Sequence, residues 1–143
     1  MSRIKIDIPS HFLFRTPLTV RITDLNYGGH VGNDRFLTYC HEARVLFLQS
    51  MGYTELELGG VSLIMGDAAL EYKKEVLAND QLEIAVTAAN ITRVSFDLIY
   101  VIYKWESNNW VPACIAKTGM VCFNYATRKV AALPEEVKLK FSA

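Results

Sequence analysis

Residues 21–52 read RITDLNYGGHVGNDRFLTYCHEARVLFLQSMG, and the fold turns on how they are parsed. The opening is strand-like and continues a run that begins at Phe14, so a first strand is expected over residues 14–23. Gly28, Gly29 and Gly32 then mark a tight turn. From Asp34 to Met51 neither Gly nor Pro interrupts the chain, and Gly52 stops it, which predicts one long helix with Asn33 or Asp34 capping its first turn. Its apolar positions, Phe36, Leu37, Tyr39, Cys40, Ala43, Val45, Leu46, Phe47 and Leu48, cover most of the circumference, so something must wrap it. A polar stripe of Arg35, Thr38, Glu42 and Gln49 follows the helical rows. Asp24, Asn26, His30 and Asn33 crowd the turn at the helix start. There, free backbone N–H groups and the helix dipole favour negative charge.

Beyond Tyr53 the hydrophobic period changes to two, the mark of an antiparallel meander. A long strand is expected over residues 61–75, with a bulge near Gly66 and Asp67. Asn79 and Asp80 turn the chain into strands over 81–91 and 93–105. Ser107, Asn108 and Asn109 make a hairpin into a strand over 111–123. After a turn at 124–129 come a short strand at 130–133 and a terminal helix entered through Pro134, Glu135 and Glu136. These elements predict one α+β domain over residues 1–143, an antiparallel sheet of about five strands around one long helix.

Composition narrows the classes. Of the 143 residues, 51% are hydrophobic and 11% aromatic, which describes a globular chain. Fifteen basic residues balance fifteen acidic ones, so bulk charge points to neither nucleic acid nor a membrane surface as a partner. No apolar run reaches a membrane-spanning length, and the N-terminus lacks a signal-peptide core; a cytoplasmic location is expected. Cys40, Cys114 and Cys122 sit among apolar neighbours without metal-ligand spacing and read as reduced core thiols.

The strand over 93–105 is apolar on both faces: Val94, Phe96, Leu98, Tyr100 and Ile102 on one, Ile99, Val101, Tyr103 and Trp105 on the other. One face can cover the helix. The second predicts burial against another subunit, hence a homodimer or homotetramer.

Residues 21–31 fit R-x-x-D-x-[D/N]-x-x-G-H-V, Glu42-Ala43-Arg44 form an E-A-R triplet on the helix, and Leu133-Pro134 precedes the last helix. With the meander, these residues resemble the hot-dog fold, and more narrowly the acyl-CoA thioesterases of the 4-hydroxybenzoyl-CoA thioesterase group and their acyl-carrier relatives. The resemblance implies hydrolysis of an acyl-CoA or acyl-carrier thioester at subunit-interface sites, with no cofactor and no metal.

Carried over by position, the family's catalytic acid falls on Asn26, an amide that cannot take a proton at neutral pH. The resemblance then assigns the carboxylate to Glu42, as general base or nucleophile, with His30 polarising it or shuttling the proton. The Asn33 N–H, beside Gly32 and the Gly29 turn, becomes the oxyanion donor. Lys73, Lys74 and Arg93 are the cations available to CoA phosphates. Structural roles compete: Asn26 and His30 as turn residues, Glu42 paired with Arg35 or Arg44, Asp24 paired with Arg44. A non-catalytic acyl-thioester binding protein of the same fold is the alternative function. A hydratase is disfavoured because no Pro follows Asn26.

Overall fold

In the computed structural model, which describes residues 2–143, six strands form one antiparallel sheet that curves about a long helix. The chain runs β1 (Phe14–Thr19), a 3₁₀ turn (Ile22–Asp24), α1 (Asn33–Ser50), β2 (Ser62–Tyr72), β3 (Gln81–Ala89), β4 (Ser95–Glu106), β5 (Asn109–Asn124), β6 (Lys129–Val130) and α2 (Glu135–Phe141). The strand order is β1-β3-β4-β5-β2, with β6 pairing β5. The expected architecture is present. No helix among the described residues is long and apolar enough to cross a membrane.

Differences from expectation have local causes. The first strand stops at Thr19 because Ile22–Asp24 form a 3₁₀ turn, in which the Asp24 carboxylate accepts the Arg21 N–H at 2.9 Å. The α1 N-cap is Gly32, without a side-chain cap, and Asn33 instead accepts the Asp34 N–H through Oδ1 at 3.1 Å. Of the turn glycines, Gly29 has the left-handed φ of +79°, the backbone region where glycine is least strained. Gly28 and Gly32 do not. The bulge in β2 falls where expected, between Met65 and Asp67; the Asp67 carboxylate fills it by accepting the Gly119 N–H at 3.0 Å and the Lys117 ammonium at 2.8 Å.

The core lies between α1 and the inner sheet face. Phe36, Tyr39, Cys40, Ala43, Phe47 and Leu48 bury against Leu98, Tyr100, Ile102, Cys114, Ala116, Met120 and Cys122. The helix is not wrapped on every side, since Val45 is 45% and Leu46 36% exposed; the sheet reaches only the rows that point at it.

The outer sheet face is covered by the chain itself. Ala85, Val101, Ile115 and Glu71 are cross-strand neighbours on that face, and the three apolar ones are buried, as is Ile99. Residues 2–13 lie across them as a strap. The Ile6 N–H donates to Glu71 Oε1 at 3.0 Å, the Phe12 ring meets Tyr103 edge-on, and the Leu13 N–H donates to Val86 O at 3.0 Å. A partner subunit is therefore not needed to bury this face. Periodicity detects that a face must be covered without saying by what.

Candidate functional site

The loop before α1 is built on two polar side chains. Asp24 is buried; besides the Arg21 amide its Oδ2 accepts the Tyr39 hydroxyl at 2.8 Å, and its carbonyl accepts the Gly32 N–H at 3.0 Å. The expected pairing of Asp24 with Arg44 is absent. Arg44 instead binds the Glu55 carboxylate through Nε and Tyr100 Oη through Nη1 at 3.1 Å, because it points across the core, away from the loop. Tyr100 in turn shares a hydrogen bond with Thr118 at 2.7 Å.

Asn26 closes the turn. Its N–H donates to His30 O at 2.7 Å and its carbonyl accepts the Gly29 N–H at 3.0 Å. Its side-chain Oδ1 accepts the N–H of Gly28 at 2.9 Å and of His30 at 3.3 Å. Both oxygens are thus committed to the turn, and Nδ2 is left as a donor.

A cleft of about 400 Å³ opens at this end of the helix, lined by Asn26, His30, Val31, Asn33, Phe36, Tyr72, Lys73, Lys74, Glu75 and Val76. Backbone pairing assembles it: the Val31 N–H donates to Val76 O at 2.8 Å and His30 bridges Leu77. Tyr72 crosses the mouth, donating its hydroxyl to Asn33 O at 2.9 Å with its ring 5.5 Å from that of Phe36. Partial burial pushes the Tyr72 phenol above its ordinary range, so it remains a donor. Gly32 has spent its N–H on Asp24, whereas the Asn33 N–H, at the first helical position, has no acceptor within the helix. That amide is the natural hydrogen-bond donor to a negative oxygen in the cleft.

Asn26, His30, Asn33, Lys73 and Lys74 are thus brought together, with Gly29 and Gly32 shaping the loop behind them. Glu42 is exposed on α1, outside the cleft; nine residues beyond Asn33, it sits roughly 13 Å further along the axis. Arg93 is exposed in the turn between β3 and β4, at the other end of β4 from the cleft. Lys73 pairs with Glu71 at 3.1 Å and Lys74 with Glu106 at 2.8 Å. Among the described residues, no cluster of three or more His, Cys, Asp or Glu is placed to hold a metal.

Two residues of this region went unnoticed in the sequence. Glu75 places Oε1 3.6 Å from His30 Nδ1. Lys104 is a buried lysine on the inner row of β4 that donates to Glu75 O at 2.9 Å. A charge at an inward position of an otherwise apolar row was the available signal for Lys104; the partner of Glu75 depends on a long-range strand pairing.

A sheet rolled about one helix, with a polar cleft at the helix start, defines a hot-dog protein of the thioesterase class. The chain belongs to the thioesterase-like superfamily, whose pattern matches residues 20–141. It is 29% identical to a 1,4-dihydroxy-2-naphthoyl-CoA hydrolase of Synechococcus elongatus over 83% of this chain and 88% of that one. The crystal structure of a 1,4-dihydroxy-2-naphthoyl-CoA thioesterase from Synechocystis superposes with a TM-score of 0.78 at 25% identity, covering 90% of this chain and 95% of that one. A Thermus thermophilus thioesterase solved with coenzyme A and zinc shares the fold, with a TM-score of 0.76 at 22% identity over 93% of this chain and all of that one (100%).

Proposed function

We propose that this protein hydrolyses an acyl-CoA thioester in the cleft at the start of α1, releasing a free acid and coenzyme A. The observation that carries the reading is the free Asn33 amide at a helix N-terminus, facing a cleft that also holds His30 and Asn26. Attack on a thioester carbonyl puts negative charge on its oxygen, and one such preorganised donor is worth about 3 kcal/mol of barrier. Asn26 Nδ2 offers a second donor, to the carbonyl or to the attacking water. His30 carries the proton, which contributes roughly a hundred- to ten-thousand-fold in rate. Glu42 stands as the helix carboxylate proposed from the family pattern. Lys73 and Lys74 border the cleft and suit the phosphates of CoA. Phe36 and Tyr72 wall it with aromatic surface, which suits a flat ring, in keeping with the names of the two naphthoyl-CoA relatives.

A cytoplasmic homodimer or homotetramer belongs to the same proposal. The support for assembly is the outer edge of β2, on which no further strand pairs among the described residues and where Met65 and Tyr72 are exposed, together with the exposed Val45 and Leu46 of α1. The test of function is steady-state release of free thiol from a panel of aromatic and aliphatic acyl-CoAs. Turnover is expected; tight binding of acyl-CoA without thiol release would make the protein a carrier of thioesters instead.

A further inference from the structure

Hydrolysis in this cleft leaves one chemical question open. A proton must leave the attacking water, and both oxygens of Asn26 are tied into the turn. The imidazole of His30 is the available acceptor, and it becomes cationic when it takes the proton. In this protomer the carboxylate beside it is Glu75, whose Oε1 stands 3.6 Å from His30 Nδ1. Glu42 lies on a part of α1 that does not reach the cleft.

Glu75 is held firmly at its backbone. The Lys74 N–H binds Ala113 O at 3.1 Å on one side of it and the Val31 N–H binds Val76 O at 2.8 Å on the other, so the segment bearing Glu75 is stitched on both sides. Lys104 completes the support. Its ammonium, nearly out of solvent, donates to Glu75 O at 2.9 Å and pairs with Asp80 and Glu106 at 3.3 Å each. Placing a lysine on the inner side of a sheet costs desolvation unless its donors are met. Two of its three partners, Glu75 O and the Asp80 carboxylate that also accepts the Leu77 N–H, belong to the segment that carries Glu75.

We propose that Glu75 is the positioning residue for His30, a role resting on the thioesterase reading above. Glu75 directs the Nδ1–H of the imidazole toward itself and leaves Nε2 unprotonated toward the cleft. Water oxygen bonds to the thioester carbonyl carbon while one of its protons passes to Nε2, and the carbonyl oxygen becomes an oxyanion at the Asn33 N–H. The adduct then collapses, the carbon–sulfur bond breaks, and His30 returns the proton to the departing sulfur. The Glu75 carboxylate balances the charge of the imidazolium.

The test uses the full-length protein with the acyl-CoA it turns over fastest, comparing Glu75→Ala, Glu75→Gln and Glu42→Ala, each checked for an unchanged melting temperature. Because the pair is partly solvated, Glu75→Ala and Glu75→Gln are expected to lose roughly ten- to a hundredfold in kcat at nearly constant KM. Added formate or acetate is expected to restore part of the Glu75→Ala activity by occupying the vacated carboxylate position, which a merely structural residue would not allow. Wild-type kcat in both Glu75 variants, whatever the activity of Glu42→Ala, would overturn the inference while leaving the hydrolase reading standing. No thiol release by the wild-type protein from any acyl-CoA would remove both.

Discussion

Tyr39 donates its hydroxyl to Asp24 Oδ2 at 2.8 Å, tying the second turn of α1 back to the loop that delivers Asn26 and His30. Burial, and then the Asp24 carboxylate beside it, push the Tyr39 phenol far above its ordinary range, so the hydroxyl keeps its proton well above neutral pH. Tyr39→Phe removes the donor yet leaves the carboxylate its Arg21 amide. Asp24→Ala strips a partner from both. A cost of about 1–3 kcal/mol is expected for Tyr39→Phe, and more for Asp24→Ala, read by urea denaturation, with a parallel drop in thiol release as the loop loosens.

Arg44 links the helix to the sheet through Glu55 and Tyr100. Removing it leaves Tyr100 with Thr118 alone and Glu55 with only His41, 3.9 Å away, beside it. Arg44→Ala is expected to cost about 3 kcal/mol, the low end for breaking a buried pair because Glu55 is partly solvated. Tyr100→Phe, which deletes only hydrogen bonds, is expected to cost about 1–2 kcal/mol. Reversed sizes in thermal melts would contradict this account of the network.

The three cysteines are buried, and burial pushes the thiols of Cys122 up to about 11 and Cys114 to about 12, with Cys40 shifted in the same direction. The folded state therefore favours the protonated thiols. Their contribution to stability is whole below the usual thiol value of about 9 and is lost progressively as pH rises from there toward 11–12. Iodoacetamide at neutral pH is expected to label none of them in the native protein, to leave thioesterase activity intact, and to label all three after unfolding. Rapid labelling of the native enzyme would show that the core opens.

The strap of residues 2–13 replaces solvent over Ile99, Val101 and Ile115. Deleting residues 2–12 uncovers that apolar surface, and the truncated chain is expected to melt lower and to associate into larger species by light scattering. An unchanged mass and melting temperature would mean that the strap does not cover the face in solution.

The helix, the bulge at Gly66 and Asp67, and the strands of the meander were legible in the sequence because each rests on local signals: a residue period, a Gly–Asp pair, an Asn-rich turn. That Asn26, His30 and Asn33 gather at one cleft was legible for the same reason, since they lie within one short loop. Arg44's true partners, the strap, and the approach of Glu75 to His30 were not. Each joins residues separated by long stretches of chain, and periodicity carries no information on which distant segment arrives. Val45 and Leu46 make the helix read as apolar round most of its circumference, yet both are exposed. They point away from the sheet, a direction fixed only once the sheet's side is known.

In the proposed reaction the Asn33 amide receives the carbonyl oxygen of an acyl-CoA thioester. The test is a crystal structure with a non-hydrolysable acyl-CoA analogue in which a methylene replaces the thioester sulfur, leaving a ketone. The ketone oxygen is predicted within about 3.1 Å of the Asn33 nitrogen, with His30 Nε2 facing the position of the attacking water. An analogue bound with its acyl carbon outside the cleft of Asn26, His30 and Asn33 would contradict the account.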